Sequence, residues 1–384
     1  MDTSKLYQPI LIEAADTAGL EAACAQYNIT DRVDNLLEQV EELYEVTHTA
    51  ASRNRDESHF SAFTTEQFGP SLDSAGVWVI YPWLFRAIKV APKEIFYRLR
   101  TARNRYIILE DEQQQYEKGV VGIAGMSVGS SIATVIALTN GSEIIKIADF
   151  DTLALTNLNR INNSVANLGL SKVVITARRI YELNPFAQVE VFPEGITTEN
   201  INDFLGGEHP IDVLFDEIDD LKIKIDLRLH ARSCQIPVVM VTDNGDNIMI
   251  DVERYDEGVT SLFHGALEEE EAQRLFSAPM IDPPTRVKMA LKIIGAENST
   301  PRMQKSLLEM GRTIPSVPQL GTATTLTGAA GAYIARRLIL GLPVVSGRIH
   351  LSLDELLIPD FMSEEQVRER QAMTQTFVET LGKR

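Results

Sequence analysis

Residues 120–140 set the narrowest limit on how this chain can fold. VVGIAG, an apolar run, passes through MSVG into SSIATVIALTN, a run of small and apolar residues. A strand, a tight glycine turn and a helix in that order make the opening of a βαβ unit. The alternation continues downstream. SEIIKIADFD reads as a strand ending in acids, LSKVVITARRIYELN as a helix, AQVEVFP as a strand and IDVLFDEID as a strand that again ends in acids. KIKIDLRLHARSC then reads as a helix and PVVMVTD as a strand. This pattern predicts an α/β fold: a Rossmann-like, doubly wound, mostly parallel sheet. Ligands of such sheets bind at the carboxyl ends of the strands, where these glycines and acids fall.

Flanking segments are less regular. PILIEA and VWVIYPW read as strands, and APKEIFYRLRTARNRY as a helix. DRVDNLLEQVEELYEV reads as an amphipathic helix with Val33, Leu36, Leu37, Val40 and Leu43 on its apolar positions. The polar segment 49–75 is expected to be a linker or loop. Beyond Asp251 the predicted elements are an acidic helix at EEEEAQRLFS, a long helix at GTATTLTGAAGAYIARRLILG and a terminal helix at SEEQVRERQAMTQTFVETLG. The expected organisation is a small N-terminal α+β region over 1–95, the main domain over 96–360 and a C-terminal helix over 361–384.

The 384 residues carry a formal net charge of −18. Nucleic-acid binders draw their affinity from a basic face, so no nucleic-acid partner is expected. No run approaches the ~20 apolar residues of a membrane span, and the N-terminus has no signal-peptide pattern. A cytoplasmic location follows as the expectation. Two cysteines, Cys24 and Cys234, stand too far apart for a CxxC zinc site, so no zinc is expected. Cys234 is expected to be a buried structural thiol, and His264, in LFHGA, a structural histidine.

The candidate site residues follow the strand ends. Gly125 and Gly129 bracket a turn at a helix N-terminus, a place that welcomes phosphate; close backbone packing is the alternative use of such glycines. Asp149 and Asp151 close the next strand, where a carboxylate meets a ribose or simply caps a turn. Thr156-Asn157-Leu158-Asn159-Arg160 follows, and an arginine there forks onto phosphate oxygens. Lys172 opens the next helix and on its own reads as a surface lysine. Asp216, Glu217, Asp219 and Asp220 crowd the end of one strand, which calls for a cation such as Mg²⁺. For Glu217 and Asp220 a solvated loop tip is the simpler reading. Arg105, in RNRYIIL, is a surface arginine or a phosphate-binding finger.

The ordered set RNRYIIL, GMSVGS, DFDTLALTNLNR, GLSK, ELNP and DVLFDEIDD resembles the ThiF/MoeB/HesA superfamily of ubiquitin-activating-enzyme-like adenylyltransferases. The stretch from VWVIYPW to LFHGAL further resembles the ThiF-type half of bacterial ThiF–nitroreductase fusion proteins. The resemblance implies ATP and Mg²⁺ as cofactors. It implies that Gly125, Ser127, Gly129 and Ser130 cradle the phosphates, that Asp149 binds the ribose with Asp151 among the nucleotide-binding residues, and that Asn157, Arg160 and Lys172 hold the triphosphate. It implies Asp219 as the metal ligand. Arg105 matches an arginine that reaches into a neighbouring subunit, so a homodimer is implied.

The chain departs from the family where glycines of the turn are replaced by Ser127 and Val128. It departs again where Asp220 and Lys224 stand for an asparagine and an arginine. Residues 251–320 contain no cysteine, so the thioester-forming cysteine is missing. The activity implied is adenylation of a carboxylate, on the C-terminus of a ubiquitin-like or sulfur-carrier protein or on a precursor peptide. A non-catalytic ATP-binding protein and a NAD- or FAD-dependent oxidoreductase are the alternatives.

Overall fold

The computed structural model describes residues 6–49 and 56–382. The chain forms two compact units: Met1–Lys118 with Ile136–Glu143 and Val174–Val189, and Gly119–Val135 with Ile144–Val173 and Glu190–Arg384.

In the first unit, β1 (Ile10–Glu13), β2 (Asp31–Asp34), β3 (Val77–Tyr81) and β4 (Arg86–Val90) make a sheet in the order β1-β3-β4-β2. Its helices are α1 (Thr17–Tyr27), α2 (Leu36–Thr47), α3 (Glu57–Phe68), α4 (Lys93–Arg100) and α5 (Glu110–Lys118). Leu36, Val40, Leu43 and Tyr44 of α2 pack with Phe60, Phe63 and Phe68 of α3. That spacing is one helical stripe.

Two expectations fail here for physical reasons. DRVD is strand β2 rather than helix, so Val33 lies on a strand, and Leu37 is 52% exposed because the neighbouring stripe already fills the core. The expected linker contains α3. Asp56 caps it by accepting from the N–H groups of Ser58 and His59, and three phenylalanines give it a buried face within a polar composition. Residues 50–55 of that segment lie outside the described residues, as do 1–5 and 383–384 at the ends of the expected terminal regions.

The larger sheet has seven strands: β5 (Val120–Ala124), β6 (Ile144–Ala148), β7 (Gln188–Phe192), β8 (Val213–Asp216), β9 (Val238–Asn244), β10 (Asn247–Glu253) and β11 (Gly347–Leu351). Their order is β11-β10-β9-β8-β5-β6-β7. Pairs β5·β6, β5·β8 and β8·β9 are parallel, as the alternation predicts. At one end β10 and β11 add antiparallel strands that the sequence reading did not separate. The Asn244–Asn247 hairpin, with Gly245 at φ +74°, was the available signal.

The helices are α6 (Gly129–Leu138), α7 (Lys172–Leu183), α8 (Ile201–Leu205), α9 (Leu221–Ser233), α10 (Glu269–Ser277), α11 (Pro283–Ile294), α12 (Pro301–Glu309), α13 (Gly321–Ile339), α14 (Leu353–Leu357) and α15 (Glu364–Gly382). Among the described residues no helix is long and apolar enough to cross a membrane.

Phe204, Leu214, Ile225, Leu227 and Val238 are fully buried in one cluster, each such side chain contributing about 2 kcal/mol. The small residues of α13 have a packing purpose. A Cβ on Gly328 or Gly331 would meet Ser131 or Ile132 at 2.8 and 2.9 Å, so α13 can approach the first turns of α6 only as glycine-rich backbone.

Candidate nucleotide site

The register aligns the site. Ala124 of β5 pairs with Ala148 of β6 on one side and Asp216 of β8 on the other. Gly125, Asp149 and Glu217 therefore leave the sheet side by side. Gly125 has φ +98°, and a Cβ there would sit 2.3 Å from the Glu217 carbonyl oxygen, so no other residue fits. Ser127 and Val128, by contrast, do not have positive φ. The turn does not require the two glycines that the chain lacks.

Asp149 is buried and faces inward. Its Oδ2 accepts from the Met126 N–H at 2.6 Å and its Oδ1 from the Asp151 N–H at 2.7 Å, which ties the turn to the end of β6. Burial raises its pKa, opposed by those hydrogen bonds and by Lys172. Lys172 Nζ lies 2.7 Å from Asp151 Oδ2 and 3.8 Å from Asp149 Oδ2. Asp149, Asp151 and Lys172 thus form one cluster beside the turn. Asn157 Oδ1 accepts from the Ala154 N–H at 2.9 Å and shapes the segment that carries Arg160. Ser130 Oγ donates to the Ser127 carbonyl at 3.1 Å.

Arg160 reaches the turn from the other side. Its Nε donates to Ser127 Oγ at 3.1 Å and one terminal nitrogen to Asn159 Oδ1 at 3.1 Å. Among the described residues no carboxylate oxygen lies within 4.0 Å of it. Burial pulls its pKa below that of a free arginine, while Asp243 and Asp219 act at longer range in the opposite sense. The segment is anchored on α13: Asn159 Nδ2 donates to the Gln319 carbonyl at 2.7 Å and Thr324 Oγ1 to the Arg160 carbonyl at 3.1 Å. A half-buried guanidinium held by neutral acceptors at a helix N-terminus is a prepared anion site.

The acids after β8 take three different positions. Asp216 is fully buried. Burial alone would raise its pKa, but Lys224 at 2.9 Å and Arg228 outweigh it and hold the carboxyl below its usual value. Arg228 Nε in turn donates to Glu253 Oε2 at 2.6 Å. Glu217 corrects the expectation of a solvated loop tip: it is substantially buried beside the turn, and its Oε1 accepts from the Val241 N–H at 3.0 Å. Desolvation drives its pKa well up. Asp220 is exposed as expected, but it is the cap of α9, accepting from the N–H groups of Lys222 and Ile223.

Asp219 is exposed beyond β8. Among the described residues no three His, Cys, Asp or Glu side chains converge on a metal position. Mg²⁺ commonly takes only one or two protein carboxylates and completes its shell with phosphate and water, so Asp219 fits it in that role.

Outside this edge the residues are placed differently. Arg105 is exposed in the first unit, beside Tyr106 and Ile107, which are 93% and 80% exposed. Cys234 corrects another expectation: it is exposed at the C-terminal cap of α9, because the helix ends before the thiol can turn into the core. It precedes β9 and so belongs to the amino ends of the strands, opposite the glycine turn. His264 Nε2 lies 3.0 Å from Asp251 Oδ1. Sequence reasoning missed Asp243, which closes β9 as Asp149 follows β6; the strand-end rule would have found it.

The sequence matches the ThiF family over residues 101–370. The chain belongs to the ThiF family. This ThiF chain is 34% identical over 287 residues to the uncharacterized protein MT1398 of Mycobacterium tuberculosis, covering 74% of this chain and 39% of that protein. It is 33% identical over 130 residues to the tRNA threonylcarbamoyladenosine dehydratase of Escherichia coli, covering 34% of this chain and 47% of that one. It thus spans less than half the length of either relative. Among solved structures, the E. coli tRNA N6-threonylcarbamoyladenosine dehydratase in complex with ATP aligns with a TM-score of 0.45 at 19% identity, over 64% of this chain and 95% of that chain.

Proposed function

We propose that this ThiF chain is an ATP-dependent adenylyltransferase that activates a carboxylate as an acyl-adenylate and releases pyrophosphate. The observation that carries this reading is Arg160, half-buried beside the glycine turn and held by Ser127 Oγ at 3.1 Å rather than by a carboxylate. The pyrophosphate of a dinucleotide is held largely by the helix N-terminus, whereas the higher charge of a triphosphate calls for an arginine beside that turn as well.

In this reading the α6 N-terminus, with Gly125, Ser127, Gly129 and Ser130, takes the phosphates. Asp149 and Asp151 lie on the ribose side. Asn157, Arg160 and Lys172 face the polyphosphate. Asp219 holds Mg²⁺, which would supply charge neutralisation on the leaving pyrophosphate. The carboxylate attacks the α-phosphorus and the α–β bridging bond breaks. The protein's part is to position the reactants and neutralise charge.

The acyl substrate is proposed to be the C-terminus of a ubiquitin-like or sulfur-carrier protein, or a precursor peptide. The thiol-free stretch 251–320 and the place of Cys234 support a nucleophile brought by substrate or partner. The region 1–95 is proposed as accessory, 96–360 as the adenylation domain and 361–384 as a terminal helix, in a soluble cytoplasmic protein. The same reading makes the working form a homodimer completed by Arg105. Arg105→Ala subunits mixed with Asp219→Ala subunits should regain about one working site per mixed dimer, and no recovery with proven subunit exchange would refute the trans role.

The deciding experiment is calorimetry with Mg·ATP against NAD, followed by candidate-dependent pyrophosphate release. Binding of NAD in place of ATP, or ATP binding without pyrophosphate release for any C-terminal peptide, would reject the activity.

A further inference from the structure

Asp243 stands at the carboxyl end of β9 with 9% of its surface exposed. Among the described residues its carboxylate meets only neutral donors at long range, Gln319 Nε2 at 3.4 Å and Thr327 Oγ1 at 3.5 Å. Among the described residues no Lys, Arg or His nitrogen comes within 4.0 Å of it.

The charged groups that act on it are Arg160, from the NLNR segment, and Glu217, after β8. Asp219 acts on the same Arg160, and Asp246, across the hairpin, is engaged by Thr322. A carboxyl buried without a cation is held high, and Arg160 only partly offsets this: Asp243 is pushed up to about 6.

The strand order β6-β5-β8-β9 puts Asp149 on one side of the glycine turn and Asp243 on the other. An anion drawn to Arg160 cancels the positive charge that favours the Asp243 carboxylate and adds negative charge of its own. Both effects favour the neutral acid.

We propose that Asp243 takes up a proton when a polyphosphate occupies Arg160 and then serves as a neutral hydrogen-bond donor to that anion. The inference rests on the nucleotide reading and goes beyond it by making Asp243 a binding residue whose charge changes with occupancy. As a carboxylate it would repel a phosphate; as an acid it donates its O–H. Glu217, whose carboxyl burial also holds high, adds little negative charge, and the exposed Asp219 keeps the local field negative.

The test is calorimetric titration of the full chain with Mg·ATP at pH 7, in buffers of different ionisation enthalpy. About one proton should be taken up per ATP by the wild type and none by Asp243→Asn. The asparagine variant keeps a neutral donor and should bind ATP at least as tightly. Asp243→Leu removes the donor and should bind about tenfold more weakly, as expected for one lost hydrogen bond to a charged group. Its unfolding transition is checked in parallel, and the asparagine variant decides the matter if the leucine variant does not fold.

Wild-type affinity should fall between pH 6 and pH 8 while that of Asp243→Asn stays flat. ATP binding without proton uptake, uptake that persists in Asp243→Asn, or equal affinities of the asparagine and leucine variants would overturn the proposal. Failure of the wild type to bind Mg·ATP at any pH would instead reject the nucleotide reading beneath it.

Discussion

The larger sheet carries two groups of charged side chains built on opposite terms. Around Arg228 every charge is answered. Asp216, Lys224 and Glu253 surround its guanidinium, and Glu253 also accepts from Tyr255 Oη at 2.8 Å and the Phe263 N–H at 2.6 Å. Arg228 further stacks 4.0 Å from the Phe263 ring. Around Arg160 the charges are kept apart: the guanidinium holds neutral acceptors, and Asp243 holds neutral donors. The first group fastens β8, α9 and β10 together. The second leaves charge available for a ligand. A satisfied buried network contributes rigidity, whereas an unsatisfied one is retained where something else completes it.

The largest effect should come from breaking the closed group. Arg228→Met takes the guanidinium from two buried carboxylates, leaving Asp216 to Lys224 alone and Glu253 to neutral donors, and should destabilise the chain by about 3–5 kcal/mol. Chemical denaturation measures it, and a loss under 1 kcal/mol would show that the network is not a fastening. In the open group Arg160→Ala should do the reverse. Its loss should weaken Mg·ATP binding about a hundredfold, near 3 kcal/mol, while folding stability changes by less than about 1 kcal/mol. A variant that unfolds but still binds ATP would collapse the distinction. Asp219→Ala, similarly, should abolish Mg²⁺-dependent ATP turnover at unchanged stability; turnover at the wild-type rate would remove Asp219 from the metal site.

Asp243 sharpens the comparison through pH. Its folded carboxyl binds its proton more tightly than the unfolded one, so the folded state loses stability as pH rises from about 4 to about 6. Asp243→Asn removes that penalty and should raise stability by about 3 kcal/mol at pH 7.5, with no gain near pH 3.5. Thermal unfolding at the two pH values checks the sign; equal shifts at both would exclude titration as the cause. The smallest effect belongs to Ser127→Gly. The residue does not have positive φ, so glycine relieves nothing there and should cost under about 1 kcal/mol, together with a few-fold loss of ATP affinity as Arg160 loses its acceptor. A gain in stability would show that the turn is strained at Ser127.

The sequence by itself determined the parallel core of the sheet, the glycine turn, the strand-end acids and the family. These depend on local periodicity and on residues whose spacing along one strand or helix fixes their position. Gly125 is the clearest case: its left-handed backbone and its approach to Glu217 leave one residue type, and the sequence displays it.

The tertiary structure alone decided how charges pair, because pairing depends on residues far apart in sequence. Glu217 and Asp219 are two residues apart, yet one is desolvated against β9 and the other is in solvent. Arg228 meets Glu253 across 25 positions, and Asp243 meets Thr327 across 84. The helix at 57–68 and the antiparallel strands β10 and β11 escaped notice for the same reason. Their apolar faces become cores or sheet edges only when a distant partner arrives, and a partner's arrival is a property of the folded chain.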